Sequence, residues 1–303
     1  MSVTANETID AVAASMAQKH HRMTLGLRPL QHQHWICDLP DFGAQLREKR
    51  HLLATQDDVL ATLPESSTAQ RELLRMVASH VAMHFPEQFS RNGDLIYVRA
   101  NDAHISLTEH DSGAIATAAQ LVPEDLVLMR EHVDGSYRLV AAALCFPTRW
   151  RLAQKVGQPM RAIHAPVPGY DAQIGAATDK IMRAITVDRP LWRHNWSLVD
   201  SPQLYQPVRV PLPQPLRFSE LGTHLWLRTE RQTLRRLPES KDLVFGIRIV
   251  QATLAEVCTR PTIAEHLLGQ LRTMPSALRQ YKQMTAIHDD LQRYLQNAMH
   301  AAK

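Results

Sequence analysis

The chain has 303 residues, with 34 Lys+Arg against 30 Asp+Glu, 16 His, 3 Cys and 45% apolar residues. That is the composition of a soluble globular protein with ample core, so disordered, collagen-like and disulfide-stapled classes are excluded, and at ~100–200 residues per domain the length allows one large domain or two modest ones. A formal charge of +4 with no Lys/Arg run argues against a dedicated nucleic-acid binder.

The start, MSVTANETID, lacks the charged and apolar regions of a signal peptide. The longest apolar run, Leu139–Pro147, is far short of the ~20 residues that span a bilayer, so the expected location is cytoplasmic, with no membrane partner. Residues 1–60 are polar apart from TLGLRPLQHQHWICDLPDF and read as an arm or cap on a larger body. From Ser66 the pattern changes. Leu73, Leu74, Val77 and Val81 fall on one helical face behind a Ser66–Ser67–Thr68 cluster suited to capping, which predicts a helix over 67–84.

The middle reads as sheet. Leu95–Val98 is a short strand, and Leu126–His132 and Tyr137–Phe146 flank Asp134–Gly135, a hairpin turn signal. Trp150–Val156 reads as helix. The stretch from Pro159 to Pro215 is crowded with proline and is expected to be mostly ordered loop. Thr223–Leu237 and Leu243–Val250 form a second hairpin. Thr262 and Glu265 have capping-box spacing ahead of Ile263, Leu267, Leu268 and Leu271, and a last helix runs through Leu291 and Leu295. The expected class is α+β: an arm over 1–60, a core over 61–258 and a C-terminal helical extension over 259–303.

The familiar nucleotide, serine-hydrolase, zincin and calcium motifs are absent. Cys37, Cys145 and Cys258 lie about a hundred residues apart, too scattered for a zinc or iron–sulfur site in this chain. His164, in AIHAPVPGY, sits between an apolar pair and two prolines that stiffen its backbone; it is either a core histidine bonded to a carbonyl or a metal or haem ligand. If Thr223–Leu237 is a strand, Arg231 shares a face with Leu225 and Leu227, where a guanidinium needs an anionic or dipolar partner unless a bulge exposes it. Trp192 and Trp196 are core aromatics or a cofactor wall, with Asn195 beside one of them. Arg149, Arg151 and Arg161 either pair carboxylates or form a solvated face. Glu124–Asp125 is an acid, base or ammonium partner, or a strand cap.

Together, VPEDLVLM (122–129), LCFPTRWRLAQKVGQP (144–159), IHAPVPGY (163–170), WRHNWSL (192–198) and ERQTLRRLP (230–238) resemble the haem-binding α subunit of the haem-dependent oxidative N-demethylases. The resemblance implies a PAS-like fold, an antiparallel sheet with helices on one side and haem b in the pocket. It further implies oxidation of a small secondary amine such as dimethylamine with O2, releasing methylamine and formaldehyde. Electrons come from NADPH through FMN and a 2Fe–2S centre, and tetrahydrofolate takes up the one-carbon unit. With three scattered cysteines and no nucleotide motif, those groups are expected on partner reductase subunits. By the same resemblance His164 is the proximal iron ligand. Arg231 donates to bound dioxygen or secures a propionate, and Tyr170 orients substrate or delivers a proton. Glu230 and Asn195 belong to the polar shell, and Arg149, Arg161 and Trp196 to the cofactor site. VPEDL departs from the family in its proline, where glutamine is expected. A PAS haem pocket also serves gas sensors and carriers, so turnover is not implied by fold alone.

Overall fold

The computed structural model describes residues 20–301 apart from 22, 38, 40, 109–112, 211–213 and 215. The first elements are β1 (Arg28–Pro29), α1 (Phe42–Thr55), β2 (Leu60–Thr62) and α2 (Ser67–His84). α2 runs as its periodicity predicts: Leu73, Leu74, Val77 and Val81 are all buried, and the chain leaves the helix at Phe85, ahead of Pro86. The expected serine cap does not form, because the Ser66 hydroxyl donates to the Leu63 carbonyl instead. A small antiparallel sheet of β3 (Phe89–Asn92), β4 (Leu95–Val98) and β5 (Ala103–Ser106) precedes α3 (Ala114–Ala119).

β6 (Asp125–Glu131) and β7 (Tyr137–Ala143) make the first predicted hairpin. Gly135 takes φ 75° in its turn, and Asp134 accepts the Ser136 amide at 2.9 Å. The next segment departs from expectation. Trp150–Val156 contributes only a single 3-10 turn at Leu152–Gln154. The proline-rich stretch holds α4 (Met160–His164), a π-helical turn (Asp171–Gly175), α5 (Ala176–Ala184) and the strand β8 (Leu191–Val199). Its prolines stand at boundaries rather than inside hydrogen-bonded runs: Pro159 just before α4, Pro166 and Pro168 in the turn after it, Pro190 just before β8.

α6 (Leu221–His224) leads into β9 (Trp226–Arg236), which pairs with β10 (Leu243–Thr253) from Trp226 opposite Thr253 to Arg236 opposite Leu243. Then come α7 (Leu254–Cys258), α8 (Pro261–Thr273), α9 (Ser276–Tyr281) and α10 (His288–Ala301). Thr262 and Glu265 do not form the expected capping box, since α8 already starts at Pro261 with Arg260 as its N-cap. A capping box forms one helix earlier, where the Glu256 amide donates to Thr253 Oγ1 at 3.2 Å and the Thr253 amide to Glu256 Oε2 at 2.8 Å.

The main sheet has strand order β1-β8-β9-β10-β6-β7-β2 with antiparallel neighbours throughout, so the class is α+β as expected. Side chains alternate along each strand, and both faces are covered. On one face Leu126, Leu128 and Val244 pack with α1 and α2, and farther along Trp196, Leu198, Leu227 and Val250 pack with the C-terminal helices. The opposite, inner face carries Val127, Met129, Ile247 and Ile249 against Met182, Ile185 and Ile163 of the α4–α5 segment. β1 pairs only with Leu191 and Trp192, so the rest of the outer edge of β8 has no strand partner among the described residues.

Candidate functional site between the sheet and the α4–α5 segment

α4 delivers His164 at its C-terminal end. The His164 Nδ1 lies 3.0 Å from the Met160 carbonyl oxygen one turn back. A carbonyl only accepts, so Nδ1 carries the proton and Nε2 keeps its lone pair. Nε2 has no hydrogen-bond partner among the described residues. Burial, reinforced by the charges of Lys155 and Arg193 and opposed by the Met160 bond, holds the imidazole below its ordinary pKa, so the ring is neutral at pH 7.

Pro166 and Pro168 lie in the tight turn that leaves α4. Val167 N donates to the His164 carbonyl at 2.9 Å and Tyr170 N to the Val167 carbonyl at 3.1 Å, which folds the chain back on itself. Tyr170 thereby stacks flat on the imidazole, with ring centroids 4.5 Å apart and planes 10° off parallel. The stack covers one face of the histidine. Tyr170 is buried, its hydroxyl beside Thr178 lacks a partner in good geometry, and burial raises its pKa. The π-helical turn starts at the next residue; such turns recur at functional sites.

Opposite His164 stands the inner face of β8 and β9. Register places Arg193 across from Gln232 and Asn195 across from Glu230, so these four share that face. Both oxygens of the Glu230 carboxylate are held: Oε1 accepts the Thr148 hydroxyl at 2.8 Å, and Oε2 accepts Gln232 Nε2 at 2.8 Å and Asn195 Nδ2 at 3.3 Å. Two residues along, Arg228 is 0% exposed. All its N–H groups are used: Nε donates to Thr148 Oγ1 at 3.1 Å, Nη1 to the Gln203 carbonyl at 3.2 Å and Gln251 Oε1 at 3.4 Å, and Nη2 to the Phe146 and Leu204 carbonyls, each at 2.9 Å. Burial still pulls its pKa down to about 10.

Two further cations complete the surroundings. The guanidinium of Arg193 makes no hydrogen bond or ion pair with any described residue, its Nε is buried without a partner, and burial lowers its pKa. Lys282, in the turn after α9, donates to the Trp196 carbonyl on the open edge of β8 at 2.5 Å. Burial lowers its pKa to about 8, and its ammonium is near enough to Glu230 and Arg193 for their charges to act on it.

Several residues singled out in the sequence lie elsewhere. Arg231 faces away from His164: it stands across from His194, donates to the carbonyls of His34 and Trp35, and lies 5.4 Å from the Trp192 ring centroid. The alternation that put it beside Leu225 and Leu227 holds, but that face is covered by helices at one end and by the 30–36 segment here, so Arg231 is half-buried against backbone carbonyls. The fully buried guanidinium of the strand is Arg228. Trp196 turns into the C-terminal cluster beneath Lys282, whose Nζ is 4.9 Å from its ring centroid. Arg149 is committed to an ion pair with Asp200, and the exposed Arg161 pairs with Asp171 at 3.0 Å and Asp179 at 3.2 Å. Glu124 accepts the Cys37 amide at 2.9 Å. Asp125 accepts the amides of Cys145 and Phe146, each at 2.8 Å, 4.0 Å from the buried Lys49 ammonium. The structure therefore joins His164, Tyr170, Glu230 and Asn195, and adds Arg193, Arg228, Gln232, Thr148 and Lys282. Reading WRHNWS as a strand would have put Arg193 beside Asn195.

These features define an α+β protein that sets one neutral imidazole against a polar sheet face rich in guanidinium groups. The chain belongs to the family of haem-dependent oxidative N-demethylase, alpha subunit-like proteins, whose model matches residues 26–292 and so takes in every residue of the site. Membership carries haem dependence and an oxidative N-demethylase-like function, and an alpha subunit is one member of a multi-subunit assembly. Among the described residues, no group of three or more His, Cys, Asp or Glu could hold a metal ion, and no helix is long and apolar enough to cross a membrane.

Proposed function

We propose that this chain binds haem b between the α4–α5 segment and the inner face of β8–β9, with His164 Nε2 as the group that would hold its iron. In this reading it catalyses oxidative N-demethylation of a small, dimethylamine-like secondary amine with O2. The observation that carries the reading is the His164–Met160 bond: an imidazole that would hold haem iron must be neutral, with its other nitrogen fixed by a carbonyl or carboxylate. His164 Nε2 without a hydrogen-bond partner among the described residues and an Arg193 guanidinium with no hydrogen-bonded acceptor fit an anionic macrocycle on that side.

Haem supplies the oxygen-dependent redox chemistry when bound. The chain's own part is positioning. Tyr170 fixes the imidazole plane, and Glu230, clamped by Thr148, Gln232 and Asn195, presents a carboxylate of set orientation to the amine N–H. Arg231 braces the N-terminal arm from the other face, while Arg149 and Arg161 brace the loops around α4 through their carboxylate partners. Electrons come from NADPH by way of FMN and a 2Fe–2S centre on partner reductase subunits, with tetrahydrofolate as one-carbon acceptor there. Consistent with this, burial pushes the thiols of Cys145 and Cys258 up to about 12, far from the thiolate a cluster ligand requires. A PAS-like core over 61–258 is supported by its order of elements, a β6–β7 hairpin, a helical crossing and then β8, β9 and β10 in one sheet; the arm spans 1–60 and the helical extension 259–303. The expected compartment is the cytoplasm.

Absorption spectroscopy tests the reading. Full-length protein expressed with ample haem should show a Soret band that moves on adding dimethylamine, and His164→Ala should lose the band while keeping its far-UV circular dichroism. Absence of haem from the wild type would overturn it.

A further inference from the structure

The inner face of β8–β9 holds more positive charge than its own residues neutralise. Glu230 is the carboxylate whose charge acts on all three cations, Arg193, Arg228 and Lys282, and Asp125 acts in addition on Arg228. Both Glu230 oxygens already accept hydrogen bonds from neutral donors, and Arg228 is saturated by three carbonyls, Thr148 and Gln251. That leaves Lys282, which spends one N–H on the Trp196 carbonyl, and Arg193, which has a buried Nε, makes no hydrogen bond or ion pair with a described residue, and feels Glu230 only through its charge. A half-buried guanidinium that shares one distant carboxylate and has no hydrogen-bonded acceptor is costly, and its fork matches a second carboxylate in geometry.

Lys282 is brought there by a strained connection. Arg149 and Gln283 both have left-handed backbones, φ 60° and φ 57°, and Arg149 Nη1 donates to Gln283 Oε1 at 3.1 Å while its other arm pairs with Asp200. Non-glycine residues in that region cost of order 1–3 kcal/mol each and persist where the surroundings hold them. Here the tie fixes the 281–284 turn against the open edge of β8, so the C-terminal helices supply one wall of the site.

We propose that Arg193 and Lys282 form a carboxylate-binding pair in the His164 site. The inference rests on the haem reading for its setting and names the chemistry of what the pair takes: a haem propionate, or the carboxylate of an N-methylated amino acid acting as substrate.

The test is a spectroscopic binding titration of the full chain, haem-free at the start, with haemin and with its dimethyl ester, in wild type, Arg193→Gln, Lys282→Gln and Arg193→Lys. The Lys282→Gln amide can still donate to Trp196, and Arg193 supports no other side chain, so these variants should fold. If the pair takes a propionate, wild type binds haemin about tenfold or more tighter than the ester, the preference vanishes in both glutamine variants, and Arg193→Lys keeps part of it. If it takes a substrate carboxylate, haemin and ester bind alike. N-methylglycine then shifts the Soret band of the loaded protein at about tenfold or more lower concentration than dimethylamine, and the glutamine variants lose that preference. Should wild type show neither preference, or the variants retain both, the pair is refuted while the haem reading stands. Should neither porphyrin bind, the haem reading fails, and calorimetry with N-methylglycine decides the pair: no binding overturns it, and binding lost in Arg193→Gln upholds it.

Discussion

Replacing Arg228 by lysine keeps the charge and shortens the list of donors, which isolates what the guanidinium does. Five N–H groups meet five acceptors in a place with no exposed surface. An ammonium has three N–H groups, so at best two of those acceptors, most of them backbone carbonyls of the 146–204 loops, lose their donors. A buried polar group left unsatisfied costs roughly 1–3 kcal/mol, so Arg228→Lys should lose about 2–6 kcal/mol of stability. Urea unfolding followed by circular dichroism should show a lower midpoint at an unchanged slope. The defect should also reach the site, because Thr148 accepts from Arg228 and donates to Glu230. A loss below about 1 kcal/mol would refute the account of Arg228 as a saturated cation, since normal relaxation cannot supply two missing donors in a dry interior.

Two further perturbations probe the sheet. Burial raises the Asp125 pKa to about 6, above its unfolded value, despite Lys49 and two amide donors. Its contribution is therefore present below about pH 4 and lost as pH rises through 6, about 3 kcal/mol in all; Asp125→Asn should lack that slope when urea midpoints are compared at pH 4.5 and 7, and parallel profiles would contradict the assignment. A Cβ at Gly246 would meet Thr233 Oγ1 at 2.7 Å on the paired strand, so Gly246→Ala should destabilise by about 1–3 kcal/mol, read as a lower urea midpoint, and an unchanged midpoint would count against the register there. The loss of the Soret band in His164→Ala and the preference of the Arg193–Lys282 pair for haemin over its dimethyl ester complete the set.

Where periodicity was strong, the sequence predicted the elements well. α2, the β6–β7 hairpin and the β9–β10 hairpin all carry their apolar residues at one spacing and their turn residues at the ends. Proline misled over 159–215, because its count was read without its positions. A proline at a helix start or just ahead of a strand costs no ladder hydrogen bond, and that is where Pro159 and Pro190 stand. The small capping errors at Ser66 and Thr262 have a similar origin: several polar residues near a helix start compete for one cap, and the winner depends on the incoming chain.

The site was legible in part for a different reason. His164 stood out because its neighbours restrict the backbone, and a family match fixed its importance. Cations could not be ranked the same way, since an arginine's role depends on which carboxylates or carbonyls the fold brings to it. Arg149, Arg161 and Arg231 all find partners that lie 10 to about 200 residues away, and so drop out as free charges. Arg193 gains no hydrogen bond or ion pair among the described residues, although nothing in WRHNWS distinguishes it from the others. The register of β8 against β9 shows that its face already holds Arg228 and Glu230, and Lys282 comes close enough for its charge to act there. A fold that supplies carbonyls to Arg228, an edge carbonyl to Lys282 and only the shared charge of Glu230 to Arg193 leaves that face positive, and the position of this excess near His164 is what ties the electrostatics to the proposed ligand.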